Sequence, residues 1–140
     1  MTTKASRDEP AMIIDTSALL AILFGEQDAE AYARAISEAE VCSISAATFV
    51  EVSVVVESQT GDAGSRQWDS FFRASGINIE PVTEEHAHAA RQAWSDFGKG
   101  RHLAGLNFGD CFSYALAKVS GEPLLFKGQD FRKTSIPAAL

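Results

Sequence analysis

Short runs of apolar residues alternate along this chain with longer segments in which apolar residues recur every three or four positions. The first run, residues 12–14, is followed directly by a segment with helical spacing that begins at Ala18. Three similar runs lie at residues 41–44, 77–82 and 124–126. Buried parallel strands joined by helices give this pattern. The sequence therefore predicts an α/β fold with a short, mainly parallel sheet of four or five strands, the fifth at residues 134–136.

The segments between these runs have the apolar spacing of amphipathic helices. Thr16 and Ser17 are suitable N-cap residues for the first of them. Two unusually apolar helices are separated by a glycine-containing stretch, so we expect them to pair as a hairpin. One face of this hairpin carries Trp68 and Phe72, and it either belongs to the core or binds a partner. The later helices are predicted at residues 28–39, 46–59, 65–74, 84–97 and 110–119.

Length and composition are those of one folded domain. The chain has 140 residues, 46% of them hydrophobic, which is enough to bury a core. Residues 1–11 are polar and predict a flexible leader, so we expect the domain at residues 12–140. No apolar stretch approaches the roughly 20 residues of a transmembrane helix, so we expect a cytoplasmic protein. Cys42 and Cys111 lack the spacing of a metal site and predict buried, reduced thiols.

The charge of the chain limits its possible partners. A net charge of −7 argues against indiscriminate binding of nucleic acid through a basic surface. Its distribution is uneven, because residues 91–140 hold seven Lys or Arg against four Asp or Glu, whereas residues 1–90 hold five against fifteen. Either a locally basic face lies beside an acidic cluster, or the asymmetry is accidental surface variation.

Four carboxylates stand where an α/β sheet would gather them. Asp15 and Asp130 follow the first and fourth predicted strands, at the sheet edge where such proteins bind ligands. Asp110 begins a helix, where capping alone would also explain it. Carboxylates without accompanying Cys or His suit Mg²⁺ or Mn²⁺. Such an ion can activate water and polarise a phosphoryl oxygen, so phosphodiester hydrolysis is the chemistry we expect.

The fourth carboxylate, Glu51, lies inside one of the apolar helices, among Phe49 and several valines. An unpaired carboxylate buried there would cost several kcal/mol. Glu51 therefore either has a cation, a metal ion or a raised pKa, or it faces solvent as an ordinary surface residue.

The segment IDTSAL, the Glu51 helix and the segment LNFGDCFSYALAKVSGEPLLFKGQDF, in this order, resemble the PIN domain, specifically the VapC-type toxins of bacterial toxin–antitoxin pairs. The resemblance covers residues 12–136. It implies a three-layer α/β/α fold, a Mg²⁺-dependent endoribonuclease, a cognate VapB-like antitoxin and a homodimer. It makes Asp15, Glu51, Asp110 and Asp130 catalytic residues, with Asp15 and Asp110 as metal ligands. Ser17 matches the hydroxyl that supports the first aspartate.

Two other functions are compatible with parts of this pattern. The PIN scaffold could serve only as an interaction module, which the loss of an acidic position would support, but none is lost. A haloacid-dehalogenase-like phosphatase would need a second aspartate two residues after Asp15, where Ser17 stands.

The acidic composition favours recognition of a structured RNA, such as a tRNA or an rRNA loop, by shape and by single-stranded bases. Arg101, in the glycine-rich loop at residues 98–109, and Lys127 adjoin two of the proposed ligands. They either contact RNA phosphates or only hydrate the surface. We expect the antitoxin to bind the hairpin at residues 46–74, and the orientation of Trp68 decides whether its aromatic face takes part.

Overall fold

A parallel sheet of four strands forms the centre of the computed structural model, which describes residues 11–140. The central strand β1 pairs with β2 at Met12 and Cys42, and with β4 at Ile13 and Leu124. The strands in chain order are β1 (Ala11–Ile14), β2 (Val41–Ser45), β3 (Asn78–Glu80) and β4 (Leu124–Leu125), and their spatial order is β3-β2-β1-β4. Because all four strands are parallel, their carboxyl ends meet at one edge of the sheet.

Helices cover both faces of this sheet. They are α1 (Thr16–Leu23), α2 (Ala29–Glu38), α3 (Ala46–Ser75), α4 (Glu84–Phe97) and α5 (Phe108–Ser120), with a short 3-10 helix at Phe131–Lys133. Successive side chains of β1 point to opposite faces. Met12 and Ile14 lie in a core cluster with residues of α1, α2 and α3, whereas Ile13 lies in a second cluster with α4 and α5. The predicted three-layer α/β/α fold is confirmed.

The segment α3 consists of two helices rather than one straight rod. Gly61 interrupts it with φ 67° and ψ −155°, a conformation outside the helical range that glycine adopts readily. Phe49 and Phe72 would be about 35 Å apart in a continuous helix, yet their ring centroids are 5.2 Å apart. The chain therefore folds back on itself, and the predicted hairpin is confirmed.

The aromatic face of the hairpin points into the core. Trp68 is 1% exposed and its ring packs against those of Phe49, Phe71 and Phe72. Its Nε1 donates a hydrogen bond of 2.8 Å to the hydroxyl of Ser53. This face is therefore not available to a partner, and a docking surface on the hairpin must lie elsewhere.

The predicted fifth strand does not form at residues 134–136 of the described chain. The Thr134 hydroxyl donates to the carbonyl of Phe131 and accepts from the amide of Ile136, so local bonds replace a ladder there. Pairing with β4 is instead a single bridge between Leu124 and Ala138. The sheet consequently has four strands, with the tail only touching its edge.

Other expectations concern the ends and the thiols. The predicted leader, residues 1–11, lies outside the described residues apart from Ala11, which begins β1. Cys42 and Cys111 are both buried and unpaired, as predicted. Within residues 11–140, none of the helices combines the length and apolar character needed to cross a bilayer.

Candidate active site

Asp15 lies at the carboxyl end of β1, as the apolar run before it predicts. Its backbone N–H continues the pairing with β4 by donating to the carbonyl of Leu125 at 2.9 Å. Its side chain caps α1, because Oδ2 accepts from the amide of Ser17 at 3.0 Å and from the Ser17 hydroxyl at 2.7 Å. The residue is 2% exposed. Burial raises the pKa of Asp15, and the nearby hydroxyls of Ser113 and Ser17 offset this only in part. Of these two hydroxyls, only that of Ser17 is in hydrogen-bonding geometry with the Asp15 carboxylate.

The other carboxylate oxygen of Asp15 has no hydrogen-bond partner among residues 11–140. This atom, Oδ1, is fully buried. Leaving a buried acceptor unpaired costs about 1–3 kcal/mol, so most such groups in native proteins are paired. A cation beside Oδ1 would remove this cost.

Ser17 links the residues that follow the carboxyl ends of β1 and β4. Its hydroxyl donates to Asp15 Oδ2 and accepts from the backbone N–H of Lys127 at 2.9 Å. The ammonium of Lys127 forms an ion pair of 3.0 Å with Glu26, which raises the pKa of that lysine. The structure therefore places the Lys127 backbone, rather than its charged group, against the Asp15 cap.

Glu51 comes from the first half of α3 and is half-buried. The hydroxyl of Thr16 donates to its Oε1 at 2.5 Å. The apolar surroundings expected from the sequence are only partly present, because the neighbouring residues Val50 and Val54 are 58% and 56% exposed. Val52, in contrast, is in the core. Glu51 is therefore neither fully embedded among valines nor an ordinary solvent-facing residue, because it is half-buried and has a polar partner in Thr16, next to Asp15.

Asp110 is the third residue of α5 and forms a reciprocal cap with Asn107. The Asp110 amide donates to Asn107 Oδ1 at 2.9 Å, and Asp110 Oδ2 accepts from the Asn107 amide at 3.0 Å. Burial raises the pKa of Asp110 to about 7, and the charges of Asp15, Asp130 and Glu51 add to the increase. Capping is thus part of its environment, but the electrostatic influence of three other carboxylates goes beyond capping.

Asp130 and Arg101 are both exposed. Asp130 precedes the 3-10 helix Phe131–Lys133 without capping it, and its charge contributes to the raised pKa of Asp110. Arg101 lies in the loop before α5, and its guanidinium makes no hydrogen bond or ion pair within the described chain. Asp130 therefore belongs electrostatically to an acidic group that also includes Asp15, Glu51 and Asp110. No contact within residues 11–140 links Arg101 to this group.

The PIN domain family model matches residues 12–137. A ribonuclease VapC of Mycolicibacterium smegmatis is 50% identical over 127 residues, which cover 91% of this chain and 98% of the relative. This chain belongs to the PIN domain family. Ribonuclease VapC28 of Mycobacterium tuberculosis is similar to this PIN domain with 51% identity, over 92% of this chain and 98% of the relative. The resemblance to VapC-type ribonucleases, and with it the predicted enzyme class, is confirmed.

Solved structures agree with the fold of this PIN domain. Mycobacterium tuberculosis VapC20, a toxin that cleaves the sarcin–ricin loop, superposes with a TM-score of 0.72 at 18% identity, over 89% of this chain and 95% of that one. VapBC2 from Rickettsia felis, solved with a DNA fragment from its promoter, gives 0.70 at 12% identity, over 91% and 96%. At these identities the likeness concerns the fold.

The acidic residues of this PIN domain fit a divalent cation by their chemistry. They supply oxygen ligands only, one of which is buried without a partner. No three acidic, histidine or cysteine side chains in residues 11–140 lie close enough together to enclose an ion. Mg²⁺ is usually bound by one or two carboxylates together with water and substrate oxygens, so a site for this ion would need no more than two of these carboxylates.

Several residues of the site were not identified from the sequence. The sequence indicates Thr16 only as a helix cap, whereas in the structure its hydroxyl donates a hydrogen bond to Glu51. The glycine-rich pattern predicts a loop at Asn107, although an Asn three residues before an acidic residue is also typical of a reciprocal cap, which the structure contains. Ser113, one turn beyond Asp110, shares a hydrogen bond of 3.3 Å with the hydroxyl of Thr48 in the core, and its own hydroxyl lowers the pKa of Asp15. No pattern in the sequence indicates this last pair, because it joins distant segments.

The raised pKa of Asp110 predicts an unusual dependence of stability on pH. A carboxyl whose pKa is higher in the folded than in the unfolded chain binds more protons when folded, so the free energy of unfolding falls as pH rises between the two pKa values. In EDTA we expect the melting temperature to fall from pH 5 to pH 8. Asp110→Asn should reduce this slope, and Asp96→Asn, on the exposed surface of α4, should not. A wild-type melting temperature that rises over this range would contradict the burial of the Asp110 carboxyl.

Proposed function

We propose that this PIN domain cleaves a structured RNA, such as a tRNA or an rRNA loop, with Mg²⁺ or Mn²⁺ bound by Asp15 and Asp110. One observation carries the proposal: the buried and unpartnered oxygen of Asp15 lies in the same electrostatic environment as Asp110, whose pKa is raised to about 7. Carboxylates that repel one another in this way are stabilised together by a cation.

The residues of the chain have distinct roles in this proposal. A bound divalent ion would activate water and polarise the phosphoryl oxygen. Ser17 holds Oδ2 of Asp15 and leaves Oδ1 for the ion. Asn107 fixes one oxygen of Asp110 through its amide, so the other oxygen is available to the ion. Glu51 and Asp130 add negative charge and orient water at the same edge of the sheet.

The experiment that tests this function compares two substrate classes. The chain is incubated with RNA and with a phosphomonoester, each in Mg²⁺ and in EDTA. We expect cleavage of RNA in Mg²⁺ only, with folded tRNA or an rRNA hairpin preferred over an unstructured RNA of equal length. Release of phosphate from the monoester would support a phosphatase instead, and no reaction with either substrate would support an interaction module. Sequencing the 5′ ends of RNAs cleaved after induction would then identify the site.

We expect Arg101 to contact RNA phosphates. Its guanidinium is exposed and unpaired within the described residues, and phosphate contacts position RNA without reading its sequence. Arg101→Ala should weaken binding of all RNAs similarly and reduce the salt dependence, because each phosphate contact contributes to it. Arg73→Ala is the control, because Arg73 lies in the last turn of α3, ahead of the start of β3. Filter binding at several salt concentrations measures both effects, and an unchanged salt slope for Arg101→Ala would assign it to the surface only.

Lys127 is a second proposed phosphate contact, but its ammonium would first have to leave Glu26. That ion pair is partly exposed, with side chains 37% and 41% accessible. Exposed pairs of this kind contribute little to stability. A phosphate group could therefore replace Glu26 at little cost.

A cognate VapB-like antitoxin is the proposed protein partner. It is supported by the similarity of this chain to VapC ribonucleases. A toxin–antitoxin complex from Klebsiella pneumoniae also has the same fold, with a TM-score of 0.67 at 18% identity, over 89% of this chain and 92% of that one. Because the Trp68 face is in the core, the surface left on the hairpin includes Val50 and Val54, which flank Glu51 along α3. Apolar anchors beside the acidic group would let one bound segment cover it.

Val54→Asp tests this docking surface. The side chain is 56% exposed, so the folded state should tolerate the charge. We expect antitoxin binding to weaken about tenfold or more, as for an interface hot spot, while RNA cleavage by the free toxin persists. Titration calorimetry with the antitoxin gives the affinity. Unchanged affinity would exclude this face of the hairpin.

A homodimer is also proposed, because the VapC resemblance implies one. Exposed apolar side chains on α4 and α5, Trp94 at 39% and Phe108 at 78%, support association of this chain. Light scattering after gel filtration should give twice the 15.0 kDa of one chain. A mass of one chain at micromolar concentration would contradict the dimer.

A further inference from the structure

Gly109, between Phe108 and Asp110 in the first turn of α5, has no conformational reason to be glycine. It lies inside a regular helix, and its φ is not among the positive values that several other glycines of the described chain adopt. Glycine in a helix costs about 1 kcal/mol relative to alanine. Another property of this position must therefore explain the residue.

The space where a Cβ would stand is occupied by the carboxylate of Glu51. A methyl group built on Gly109 would lie 2.6 Å from both the carboxyl carbon and Oε1 of Glu51, and closer still to Oε2. Real Cβ atoms do not approach other atoms to that distance, so the carboxylate and a side chain at residue 109 exclude each other. The absence of a side chain lets Glu51 reach the first turn of α5, where the positive end of the helix dipole favours an anion.

Thr16 fixes the same carboxylate from the other side. Its hydroxyl donates to Oε1 at 2.5 Å, and the residue is 8% exposed. Thr16 follows Asp15 in sequence and Gly109 precedes Asp110, so each contact lies one residue from a proposed metal ligand. Glu51 is thereby held against two elements that carry the other acids.

We propose that Gly109 and Thr16 are positioning residues for Glu51, which place its carboxylate beside Asp15 and Asp110. The inference rests on the proposed function, because it assigns this placement to binding of the divalent ion. A side chain at residue 109 displaces the end of a flexible Glu rather than backbone, so the fold tolerates it. Gly109→Ala should therefore weaken binding of the divalent ion without lowering the stability of the fold.

The decisive experiment is a double substitution read by Mn²⁺ affinity, with melting temperature and RNA cleavage measured alongside. Gly109→Ala should weaken Mn²⁺ binding about tenfold or more, because it displaces the Glu51 carboxylate from beside the two metal ligands, and changes to groups around metal ligands have effects of this size. The melting temperature in EDTA should be unchanged or higher. Glu51→Asp shortens the side chain by one methylene, so Gly109→Ala with Glu51→Asp should bind Mn²⁺ more tightly than Gly109→Ala alone. Ser120→Ala, at the end of the same helix with an exposed side chain, is the control and should retain wild-type affinity.

Thr16 is tested by a matched pair of variants. Thr16→Val removes the donor at nearly constant volume and should weaken Mn²⁺ binding, whereas Thr16→Ser keeps the hydroxyl and should restore it. Wild-type affinity in Gly109→Ala, or a loss that Glu51→Asp does not relieve, overturns the role of Gly109 while leaving the proposed function intact. A wild-type chain that neither binds Mn²⁺ nor cleaves RNA overturns the function and this inference together.

Discussion

Asp15→Asn should lower the rate of RNA cleavage by about two orders of magnitude or more while leaving the fold intact. Asparagine has the same shape, and its carbonyl oxygen can accept both Ser17 bonds that now end on Oδ2. The amide nitrogen would then stand in place of the buried Oδ1, where it cannot bind a cation. Because metal ligands act as a unit, the single change should cost nearly as much as Asp15→Asn combined with Asp110→Asn.

Stability separates this effect from unfolding. The raised pKa of Asp15 shows that its charged form is penalised by burial, so removing the charge should leave the melting temperature in EDTA equal or higher. Asp69→Asn, on the exposed surface of α3, makes the same chemical change and should alter neither property. Mg²⁺-dependent cleavage that survives both Asp15→Asn and Asp110→Asn would place the active site elsewhere.

Trp68→Ala should produce the largest loss of stability of any substitution considered for this chain. The indole is 1% exposed, packs between the two helices of the α3 hairpin and donates a hydrogen bond to Ser53. Truncating a buried Trp to Ala costs about 3–5 kcal/mol, a large part of the roughly 5–15 kcal/mol that stabilises a domain. Urea denaturation should show the midpoint shifted with little change in slope.

Trp94 provides the matched comparison for Trp68. It is 39% exposed on α4, so Trp94→Ala should cost far less. RNA cleavage by the fraction of Trp68→Ala that remains folded should be unchanged, because the ring of Trp68 packs against aromatic side chains and its hydrogen bond is to Ser53, not to an acidic residue. Equal losses for the two tryptophans would contradict the core position of Trp68.

The carboxyl-edge acids could be predicted because their signals are local. The apolar run of β1 followed by Asp15 indicates a strand end, and parallel strands bring their carboxyl ends to one edge. Asp130 also follows a strand, although it lies five residues beyond Leu125, the last residue of β4, and is exposed. The helix that begins before Asp110 could be predicted from its apolar spacing, although its cap at Asn107 places the start two residues earlier.

The environment of Glu51 could not be predicted, because its helix is apolar on several faces and periodicity does not then show which face is buried. The structure buries Val52 and exposes Val50 and Val54. The Gly109 contact and the ion pair of Lys127 with Glu26 join segments far apart in sequence. In the sequence, a glycine just before a predicted helix is equally typical of a loop. The space that Gly109 leaves for the Glu51 carboxylate is therefore evident only in the folded structure.

Mn²⁺ binding is the most direct test of a shared cation at Asp15 and Asp110. Electron paramagnetic resonance of a Mn²⁺ titration reports the ion that stays free in solution, without any need for the RNA substrate. We expect the wild-type chain to bind Mn²⁺, Mg²⁺ to compete for the same site, and Asp15→Asn and Asp110→Asn each to lose nearly all of this binding. Binding that is equally strong in the wild type and in both variants would contradict a metal site built on these two aspartates.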